Sequence, residues 1–402
     1  MKILTFTSLF PNSAQPELGV FIYQRVQNLA RLPGNLVKVI APVPFAPSWL
    51  NSKRWKQFKR VPQEETIGNL QVTHPRYPIL PKICMPLHGF LMFLGALRVG
   101  RRLHRQYGFD LVDAHYVYPD GLAGLLLGKL LGIPVVVSAR GTDINLFPSF
   151  VLIRPMIRWT LIRAAGLIAV SAALADRMMK LGAAAGRIRV ISNGVDIERF
   201  EPLDRIEARR SLGLPIAGPI IISVGSLVPA KRHDLLIASI ARIVPQIPDL
   251  KAYIIGDGEL RANLEAQIRK ADMEDHVFLL GKKSNTDLCP WFSAANASCL
   301  ASEREGWPNV VMESLACGTP VVATRVGGIP EIIVSPDLGN MVDGNPDSMA
   351  AGIVSSLDRR WNREVMVRYV RSRTWEAVAR DLQEYLNSVL NASSRKTKEQ
   401  LT

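Results

Sequence analysis

The sequence from Ser302 to Ala323 reads SEREGWPNVVMESLACGTPVVA, which indicates a loop, a helix and a buried strand in succession. Gly306 marks the loop, and Pro308 suits the first position of the helix. Gly318 suits the residue that ends the helix before the apolar strand. The free N–H groups and the positive dipole end at a helix N-terminus bind anions. The stretch therefore indicates an α/β sheet with an anion site at its edge.

Two carboxylates accompany this anion site. Glu305 lies in the loop and Glu313 in the helix, so the two side chains stand at different depths. Ionised carboxylates accept hydrogen bonds from hydroxyl groups, as ribose and hexose rings present them. Two Glu at this spacing alone would usually lie on a solvated helix surface. Next to an anion site, they indicate a ligand that combines a diphosphate with sugar hydroxyls.

Short apolar, β-branched segments alternate with longer helical patterns along the whole chain, which is typical of parallel sheets with crossover helices. A chain of 402 residues exceeds the size of one hydrophobic core, and a polar stretch at residues 201–219 separates two such series. We therefore predict an α/β protein of two Rossmann-like, doubly wound domains with a boundary near Pro202. The predicted strands are Ile3–Thr7, Val37–Ala41, Leu111–Ala114, Pro134–Ser138, Gly166–Val170 and Arg189–Ile191, then Ile220–Val224, Lys251–Ile255, Val277–Leu280, Ala297–Leu300 and Pro320–Ala323.

The net charge of +14 is confined to the first half of the chain. Residues 1–200 hold 25 Lys and Arg against 10 Asp and Glu, whereas residues 201–402 hold 24 against 25. Three basic clusters stand out: Lys53–Arg60 with Trp55 and Phe58 interleaved, then Arg98, Arg101, Arg102 and Arg105, then Arg154, Arg158 and Arg163. They favour contact with an anionic membrane surface or an acidic acceptor over a merely solvated basic face. No nucleic-acid motif accompanies them, so no nucleic-acid partner is expected.

The cysteines and the apolar segments bear on location. Cys84, Cys289, Cys299 and Cys317 show neither metal-ligand spacing nor the density of a disulfide scaffold, which favours a reducing cytosol. The N-terminal apolar run is too short for a signal peptide. The apolar stretches 84–97 and 122–137 are too short or too interrupted to span a bilayer. We expect a cytoplasmic protein associated peripherally with the inner face of the cell membrane.

The context of Glu305 and Glu313 resembles the Glu-x7-Glu element of the family 4 glycosyltransferases, which have the GT-B fold. The resemblance implies two domains that face each other across a cleft. It also implies that Glu305 contacts the hydroxyls of the donor sugar and that Glu313 contacts the nucleotide ribose. By the same resemblance the rest of the donor-binding loop and helix start is Gly306, Trp307, Pro308, Asn309 and Val310.

Further segments of the second half resemble the family. The stretch Val224–Lys231 is similar to its phosphate-binding loop, in which Arg usually follows Gly; here Ser226 stands in that place and Lys231 matches. Either Lys231 and the helix N-terminus suffice, or Arg232 substitutes for the missing cation. A Lys beside the diphosphate stabilises the charge that grows on the leaving group. Gly256, Asp257 and Gly258 resemble the turn that lines the nucleotide pocket, although a tight turn alone would also require these glycines. Asn193–Asp196 resembles the hinge motif, and Gly327–Glu331 resembles a structural loop.

In the first half, the candidate residues follow predicted strands. Gly19 lets backbone approach the donor phosphate or the acceptor, or else simply forms a turn. His115 hydrogen-bonds a sugar hydroxyl, unless it is a buried strand-end histidine. Arg140, Gly141 and Asp143 stand where the family often has His-Gly-x-Asp, with Arg140 in place of the His. A guanidinium binds a carboxylate or phosphate with two hydrogen bonds, so Arg140 is a candidate acceptor residue.

The resemblance implies transfer of a hexose from a nucleoside diphosphate sugar to a lipid-linked or polysaccharide acceptor with retention of configuration, in bacterial surface polysaccharide assembly. Glu305, Lys231, His115 and Asp143 are the implied catalytic residues. No Asp-x-Asp metal motif is present, so we expect no metal and no cofactor. The expected domains are residues 1–200 and 201–375, with a helix at about 376–392 packing on the first domain and a disordered tail at 393–402.

Two other functions stay open on the sequence. A nucleotide-sugar epimerase has a similar pair of domains and needs no acceptor. A non-catalytic, membrane-associated partner subunit would explain the missing Arg at position 226 and the missing His at position 140. A glycosidase fits poorly, because Glu313 lies inside a helix.

Overall fold

The chain divides into two units, Met1–Asn193 with Trp375–Thr402, and Gly194–Thr374. The computed structural model describes residues 1–45, 53–79 and 85–399, without the side chains of residues 53, 54 and 396–399. Cys84, the side chains of Lys53 and Arg54, and residues 400–402 of the predicted tail therefore lie outside the described part. We treat each unit by itself.

Unit 1 contains an eight-stranded sheet of order β10-β9-β8-β7-β1-β2-β5-β4, in which only the edge pair β4–β5 is antiparallel. A separate parallel pair is formed by β3 and β6. The strands are β1 Lys2–Phe6, β2 Leu36–Ile40, β3 Val43–Phe45, β4 Glu64–Ile67, β5 Leu70–Thr73, β6 Arg76–Pro78, β7 Leu111–His115, β8 Val135–Ala139, β9 Gly166–Ala169 and β10 Ile188–Val190. The helices are α1 Val20–Arg31, α2 Lys53–Arg60, α3 His88–Tyr107, α4 Leu122–Leu131, α5 Thr142–Asn145, α6 Arg154–Arg163 and α7 Ala172–Lys180, with short helical turns at Met85–Leu87, Val117–Gly121, Phe147–Ser149 and Ala185–Arg187.

Unit 2 contains a six-stranded, fully parallel sheet of order β13-β12-β11-β14-β15-β16. Its strands are β11 Ile220–Val224, β12 Lys251–Ile255, β13 Val277–Gly281, β14 Ala297–Leu300, β15 Val321–Thr324 and β16 Gly339–Val342. Its helices are α8 Arg205–Ser211, α9 His233–Ile243, α10 Arg261–Lys270, α11 Leu288–Ala294, α12 Asn309–Ala316, α13 Ile329–Ile332, α14 Pro346–Asp358 and α15 Arg363–Arg371, with 3₁₀ turns at Pro229–Lys231 and Asn285–Asp287. The chain then returns to unit 1 as α16, Trp375–Glu399.

The two parallel sheets confirm the predicted fold class, and all eleven predicted strands are present within one residue of their predicted bounds. Buried strands read as continuous apolar runs because helices cover both faces of a parallel sheet. In unit 1 one face packs on α1 and α16, whose Ile22, Leu29, Leu382 and Leu386 join a core with Ile3 of β1.

Three details differ from the predictions. Helix α12 begins at Asn309, and Pro308 is its extended N-cap residue rather than its first helical residue. The unit boundary falls after Asn193, seven residues before the predicted one, because Val195 already pairs with Thr374 in unit 2. Helix α16 continues to Glu399, so the predicted tail is helical as far as the structure describes it.

Within the described ranges, none of the helices is long and apolar enough to cross a membrane.

Candidate functional site

In unit 2 the loops after β11 and β14 meet at the point where the strand order reverses. Strands β12 and β13 lie on one side of β11, whereas β15 and β16 lie beyond β14. Open parallel sheets bind ligands at such a switch point, outside the carboxyl ends of the strands. The backbone N–H of Glu303 donates to the carbonyl of Ala230 over 2.9 Å and ties the two loops together.

A lysine and a carboxylate meet at this point. Lys231 Nζ lies 2.5 Å from Glu305 Oε1, and the Ser302 hydroxyl donates to the same oxygen over 2.7 Å. Lys231 is 23% exposed and Glu305 is 10% exposed, so the ion pair borders solvent without being immersed in it. The structure thus brings together the two residues that the sequence assigned to the diphosphate and the donor sugar. We call Lys231, Glu305 and Ser302 the lysine–glutamate cluster.

Glycines fix the backbone around this cluster. A Cβ on Gly327, where φ is +53°, would stand 2.0 Å from the carbonyl oxygen of Glu305. A Cβ on Gly256 would stand 1.8 Å from the carbonyl oxygen of Gly225, and one on Gly258 would stand 2.4 Å from that of Leu227. These positions exclude side chains because loop backbones cross there in contact. The packing favours the tight-turn interpretation of Gly256 and Gly258, while Asp257 between them is exposed.

Helix α12 carries Glu313 and ends in a Schellman motif. The N–H groups of Gly318 and Thr319 donate to Leu315 and Ser314, with Gly318 at φ +69°, which confirms its predicted role. Burial raises the pKa of Glu313 to about 7, although a hydrogen bond from Asn285 and the charge of Arg199 lower it. Its Oε2 has no hydrogen-bond partner among the described residues.

The Glu313 carboxyl ends a chain of polar contacts that the sequence did not reveal. Asn285 Nδ2 donates to Glu313 Oε1 over 3.3 Å, and Asn285 Oδ1 accepts from Arg199 over 3.0 Å. Arg199 in turn lies 3.7 Å from Asp196 of the predicted hinge motif. Asn285 and Arg199 lie in loops without a recognisable motif, so the only signal was their position after a strand and beside the hinge motif.

The remaining predicted donor residues vary in exposure. Ser226 is exposed, Asn309 and Val310 are half-buried, and Gly306, Trp307 and Pro308 are buried. The guanidinium of Arg373 stacks over the Trp307 ring at 5.5 Å. Arg232 takes a left-handed backbone conformation and pairs with Asp234 at 3.1 Å, and its role as a substitute cation stays a prediction.

Unit 1 has its own switch point, between β1 and β7, and buried charged residues gather there. Arg140 Nη2 lies 2.5 Å from His115 Nδ1, and Arg140 Nη1 donates to Asn193 Oδ1 over 2.9 Å. His115 Nε2 lies 3.1 Å from Asp113 Oδ2. Because a guanidinium can only donate, His115 accepts at Nδ1 and carries its hydrogen on Nε2, toward Asp113. We call Arg140, His115, Asp113, Asn193 and the nearby Arg25 the arginine cluster.

The electrostatics of the arginine cluster follow from burial. Burial lowers the pKa of His115 to about 4, with the charge of Arg140 adding to the effect and that of Asp113 opposing it, so the ring is neutral. Burial raises the pKa of Asp113, but His115, Arg25 and Arg140 outweigh it and the pKa is lowered. Burial lowers the pKa of both arginines; the charge of Arg25 lowers the pKa of Arg140 further, and the charge of Asp113 opposes the shift in both. The Arg25 guanidinium has no hydrogen-bond partner within the described ranges.

Several predicted substrate contacts in unit 1 are wholly internal. His115 and Asp143 have no exposed surface. Asp143 accepts hydrogen bonds from the backbone N–H groups of Val117, Arg140 and Gly141 at 2.8 to 3.1 Å. In this structure both residues hold the Arg140 loop, which for His115 agrees with the buried strand-end alternative; a catalytic contact of Asp143 stays a prediction.

Gly19 caps α1 in a left-handed conformation. A Cβ there would stand 2.2 Å from the carbonyl of Leu9. This contact favours the turn interpretation of Gly19.

In the parts of the chain that the structure describes, no group of three or more His, Cys, Asp and Glu is arranged to hold a metal ion.

Two α/β units, each built on a largely parallel sheet with a switch point, are typical of the GT-B glycosyltransferase fold, and comparison with known proteins identifies the family. The family described as Glycosyltransferase Family 4 matches residues 21–199, and Glycosyl transferases group 1 matches residues 204–373. Together the two matches span most of the chain. The protein is a glycosyltransferase and belongs to the family 4 glycosyltransferases.

Three similar proteins illustrate the range of the family. The putative teichuronic acid biosynthesis glycosyltransferase TuaC of Bacillus subtilis is 29% identical over 83% of each chain. The D-inositol 3-phosphate glycosyltransferase of Pseudarthrobacter chlorophenolicus is 33% identical over 66% of each chain. The crystal structure of Anabaena Alr3699/HepE in complex with UDP has a TM-score of 0.72 at 20% identity, covering 96% of this chain and 100% of that one, which shows the shared fold.

Proposed function

We propose that the enzyme transfers a hexose from a nucleoside diphosphate sugar, with retention of configuration, to a lipid-linked or polysaccharide acceptor that carries a carboxylate or a phosphate. The observation that carries the donor half is the lysine–glutamate cluster at the switch point of unit 2. The solved relative from Anabaena binds UDP, which supports a nucleotide donor.

The cluster accounts for the chemistry of donor cleavage. Lys231 and the N-terminus of α12 offer positive charge to a diphosphate, and this charge stabilises the leaving group more as the glycosidic bond breaks. When the phosphates engage Lys231, Glu305 loses its ion-pair partner and becomes an acceptor for hydroxyls of the sugar. Since Lys231 and the helix supply the positive charge, we propose that transfer needs no divalent metal ion.

The arginine cluster supports an anionic acceptor. The charge of Asp113 acts on the two buried guanidinium groups of Arg25 and Arg140, and that of Asp143, which accepts hydrogen bonds from backbone N–H groups, acts on Arg140 as well. Arg140 retains 8% exposure and its Nε has no hydrogen-bond partner among the described residues, so an anion that reaches it can accept a charge-assisted hydrogen bond. The names of two relatives point the same way, since teichuronic acid and inositol phosphate are acidic compounds. We further propose that the enzyme works at the inner face of the cell membrane, where a lipid-linked acceptor resides.

A donor screen tests the proposal. Wild type, Glu305→Gln and Glu303→Gln are tested for binding and slow hydrolysis of UDP-, GDP- and ADP-sugars, with and without a chelator. Glu303 is exposed in the same loop and is a matched control. We expect one donor to bind, with hydrolysis lost in Glu305→Gln and kept in Glu303→Gln and with chelator.

Each contrary outcome has a definite meaning. If no donor binds, the transferase proposal is wrong and the result supports a non-catalytic partner subunit instead. If the donor sugar is isomerised without an acceptor, the enzyme is an epimerase.

A further inference from the structure

One face of unit 1 combines exposed apolar side chains with many basic residues, and the segments that form it contain no acidic residue. Helices α3, α4 and α6 cover the same face of the sheet, with α4 in contact with both of the others. Residues 85–107, 122–131 and 144–175, which include these helices, contain no Asp or Glu. They hold eight Lys and Arg: Arg98, Arg101, Arg102, Arg105, Lys129, Arg154, Arg158 and Arg163. We call the outer side of these three helices the basic face.

A short apolar tip projects at the start of α6. Val151 is 82% exposed and Leu152 is 68% exposed, and Phe150 beside them is also exposed. The tip is anchored from below, because Ile153 and Ile157 are buried in the unit 1 core. Apolar side chains held this far into water gain free energy when another phase covers them. Residues 150–152 therefore mark a place where the protein meets an apolar environment.

Positive charge surrounds the tip. Arg154 and Arg158 are exposed on the first turns of α6 and, with Pro148, Val151 and Trp159, line a shallow groove next to it. Exposed Leu87, Phe90 and Leu94 lie at the start of α3. Crossover helices run opposite to the strands, so α3 and α6 both begin at the carboxyl edge of the sheet. Apolar groups thus concentrate at this edge, with arginines beside them.

The other two predicted basic clusters lack this combination. In α2, Trp55 and Phe58 are partly buried and pack against each other with ring centroids 5.5 Å apart. At the far end of α3, Arg102 pairs with Glu64, and no large apolar side chain there is exposed among the described residues.

We propose that the end of the basic face around the apolar tip 150–152 binds an anionic phospholipid bilayer, with the tip inserted among the lipids, Arg154 and Arg158 at the headgroups, and the far end of α3 away from the bilayer. Apolar insertion beside basic residues is the usual physical basis of peripheral membrane binding. The role of this contact rests on the proposed function: binding to the bilayer brings a lipid-linked acceptor to Arg140.

The path from the tip to the arginine cluster is short and continuous. Arg140 and the tip belong to the same segment between β8 and α6. Phe150 contacts Phe147, and Phe147 contacts Tyr116, which follows His115 in the chain. A headgroup held at the tip therefore lies at the same sheet edge as the Arg140 guanidinium.

Vesicle flotation tests this surface. We expect the wild-type protein to float with vesicles of equal parts phosphatidylglycerol and phosphatidylcholine, and to remain behind with phosphatidylcholine alone. The Val151→Ser/Leu152→Ser variant should bind the anionic vesicles at least about tenfold more weakly, because the inserted apolar area is lost. Arg154→Gln/Arg158→Gln should weaken binding about tenfold as well.

Two control variants keep the test specific. Arg101→Gln/Arg105→Gln removes the same charge at the same spacing from the far end of α3 and should weaken binding less than about threefold. Val334→Ser changes an apolar residue in unit 2 that is 61% exposed and should have no effect. The substituted tip side chains are exposed, so the melting temperature should not change.

Three results would overturn the proposal: no flotation of wild type, an equal loss in the Arg101/Arg105 variant, or a tip variant that changes only the oligomeric state, which would identify a protein interface. Donor binding measured without vesicles is independent of the tip. Its failure would count against the proposed function and not against the membrane surface.

Discussion

The carboxyl group of Glu313 is buried at the end of a chain of polar contacts, and its ionisation lowers the stability of the folded protein. Its pKa is about 7 in the folded protein and near the ordinary Glu value in the unfolded chain. Between these two values the folded state binds the extra proton, so stability falls as pH rises through this window. In the proposed function, a hydroxyl of the bound nucleotide donates a hydrogen bond to the Glu313 carboxylate and so offsets this loss of stability.

We therefore predict opposite effects of Glu313→Gln on stability and on binding. Above pH 7 the variant should be more stable than wild type by about 1–3 kcal/mol, and at pH 4 the two should be equal. Wild type should bind the nucleotide more tightly as pH rises through 7, and the variant should lose this dependence. Thermal melting and titration calorimetry across this pH range measure both; a variant that is destabilised at pH 8 would contradict the pKa assignment.

We predict that substitutions of Arg140 lower activity toward the acceptor and do not change the affinity for the donor. Arg140→Gln should lower kcat/KM for an anionic acceptor about tenfold to a hundredfold, because a charge-assisted, two-point contact is lost. The kcat/KM of Arg140→Lys should lie between those of wild type and Arg140→Gln, since lysine keeps the charge without the planar guanidinium. Donor affinity, measured in the same preparations, should be unchanged because the lysine–glutamate cluster belongs to unit 2. An unaltered acceptor KM would show that Arg140 has a purely structural role.

Single residues were predictable from sequence where a motif or a strand end marked them. Lys231 and Glu305 follow β11 and β14 at the switch point of unit 2, and Arg140 directly follows β8 in unit 1. Arg25 and Asp113 were missed because buried ionisable groups occupy core positions of α1 and β7 where apolar residues are usual. A buried, strand-end role of His115 was one of the two interpretations that the sequence left open, although its partners are set by tertiary contacts and could not be named.

At the scale of elements, the loop after β15 controls the position of Glu305. Gly327→Ala places a methyl group against the Glu305 carbonyl and on an unfavourable φ. We expect transfer to fall at least about tenfold, because a displacement of about 1 Å at a catalytic group has large effects. Gly344→Ala, where a Cβ meets nothing within 4 Å, is the matched control and should keep full activity. Equal activity of the two variants would show that the loop absorbs the methyl group.

The strands that escaped prediction have physical reasons of their own. Strands β3 and β6 have three residues each and include proline, so no periodicity develops. The antiparallel hairpin β4–β5 did carry a signal, because Gly68 and Asn69 join two short alternating segments. Strand β16 is short and starts at Gly339, which packs against the Val321 carbonyl. Long apolar strands were predictable, whereas short edge strands depend on the sheet they join.

At the scale of the whole molecule, the chain ends in the unit in which it began. Helix α16 follows unit 2 in sequence, yet its apolar side is part of the unit 1 core. The Tyr385 hydroxyl also contacts backbone groups of Leu167 and Arg187. The stability of unit 1 therefore depends on a helix that follows unit 2 in sequence.

The last prediction tests whether the packing of α16 stabilises unit 1 alone. Leu386 is fully buried between α16 and the unit 1 core, so Leu386→Ala should destabilise unit 1 by about 2–5 kcal/mol. Hydrogen exchange followed by mass spectrometry should become faster across residues 1–193 and stay unchanged across 194–374, which contains no part of that core. Leu130→Ala, at an exposed position of α4, is the matched control and should leave exchange in both units as in wild type. Faster exchange in residues 194–374 would mean that unit 2 also depends on α16 for its stability, and that its donor site could not be tested separately from the end of the chain.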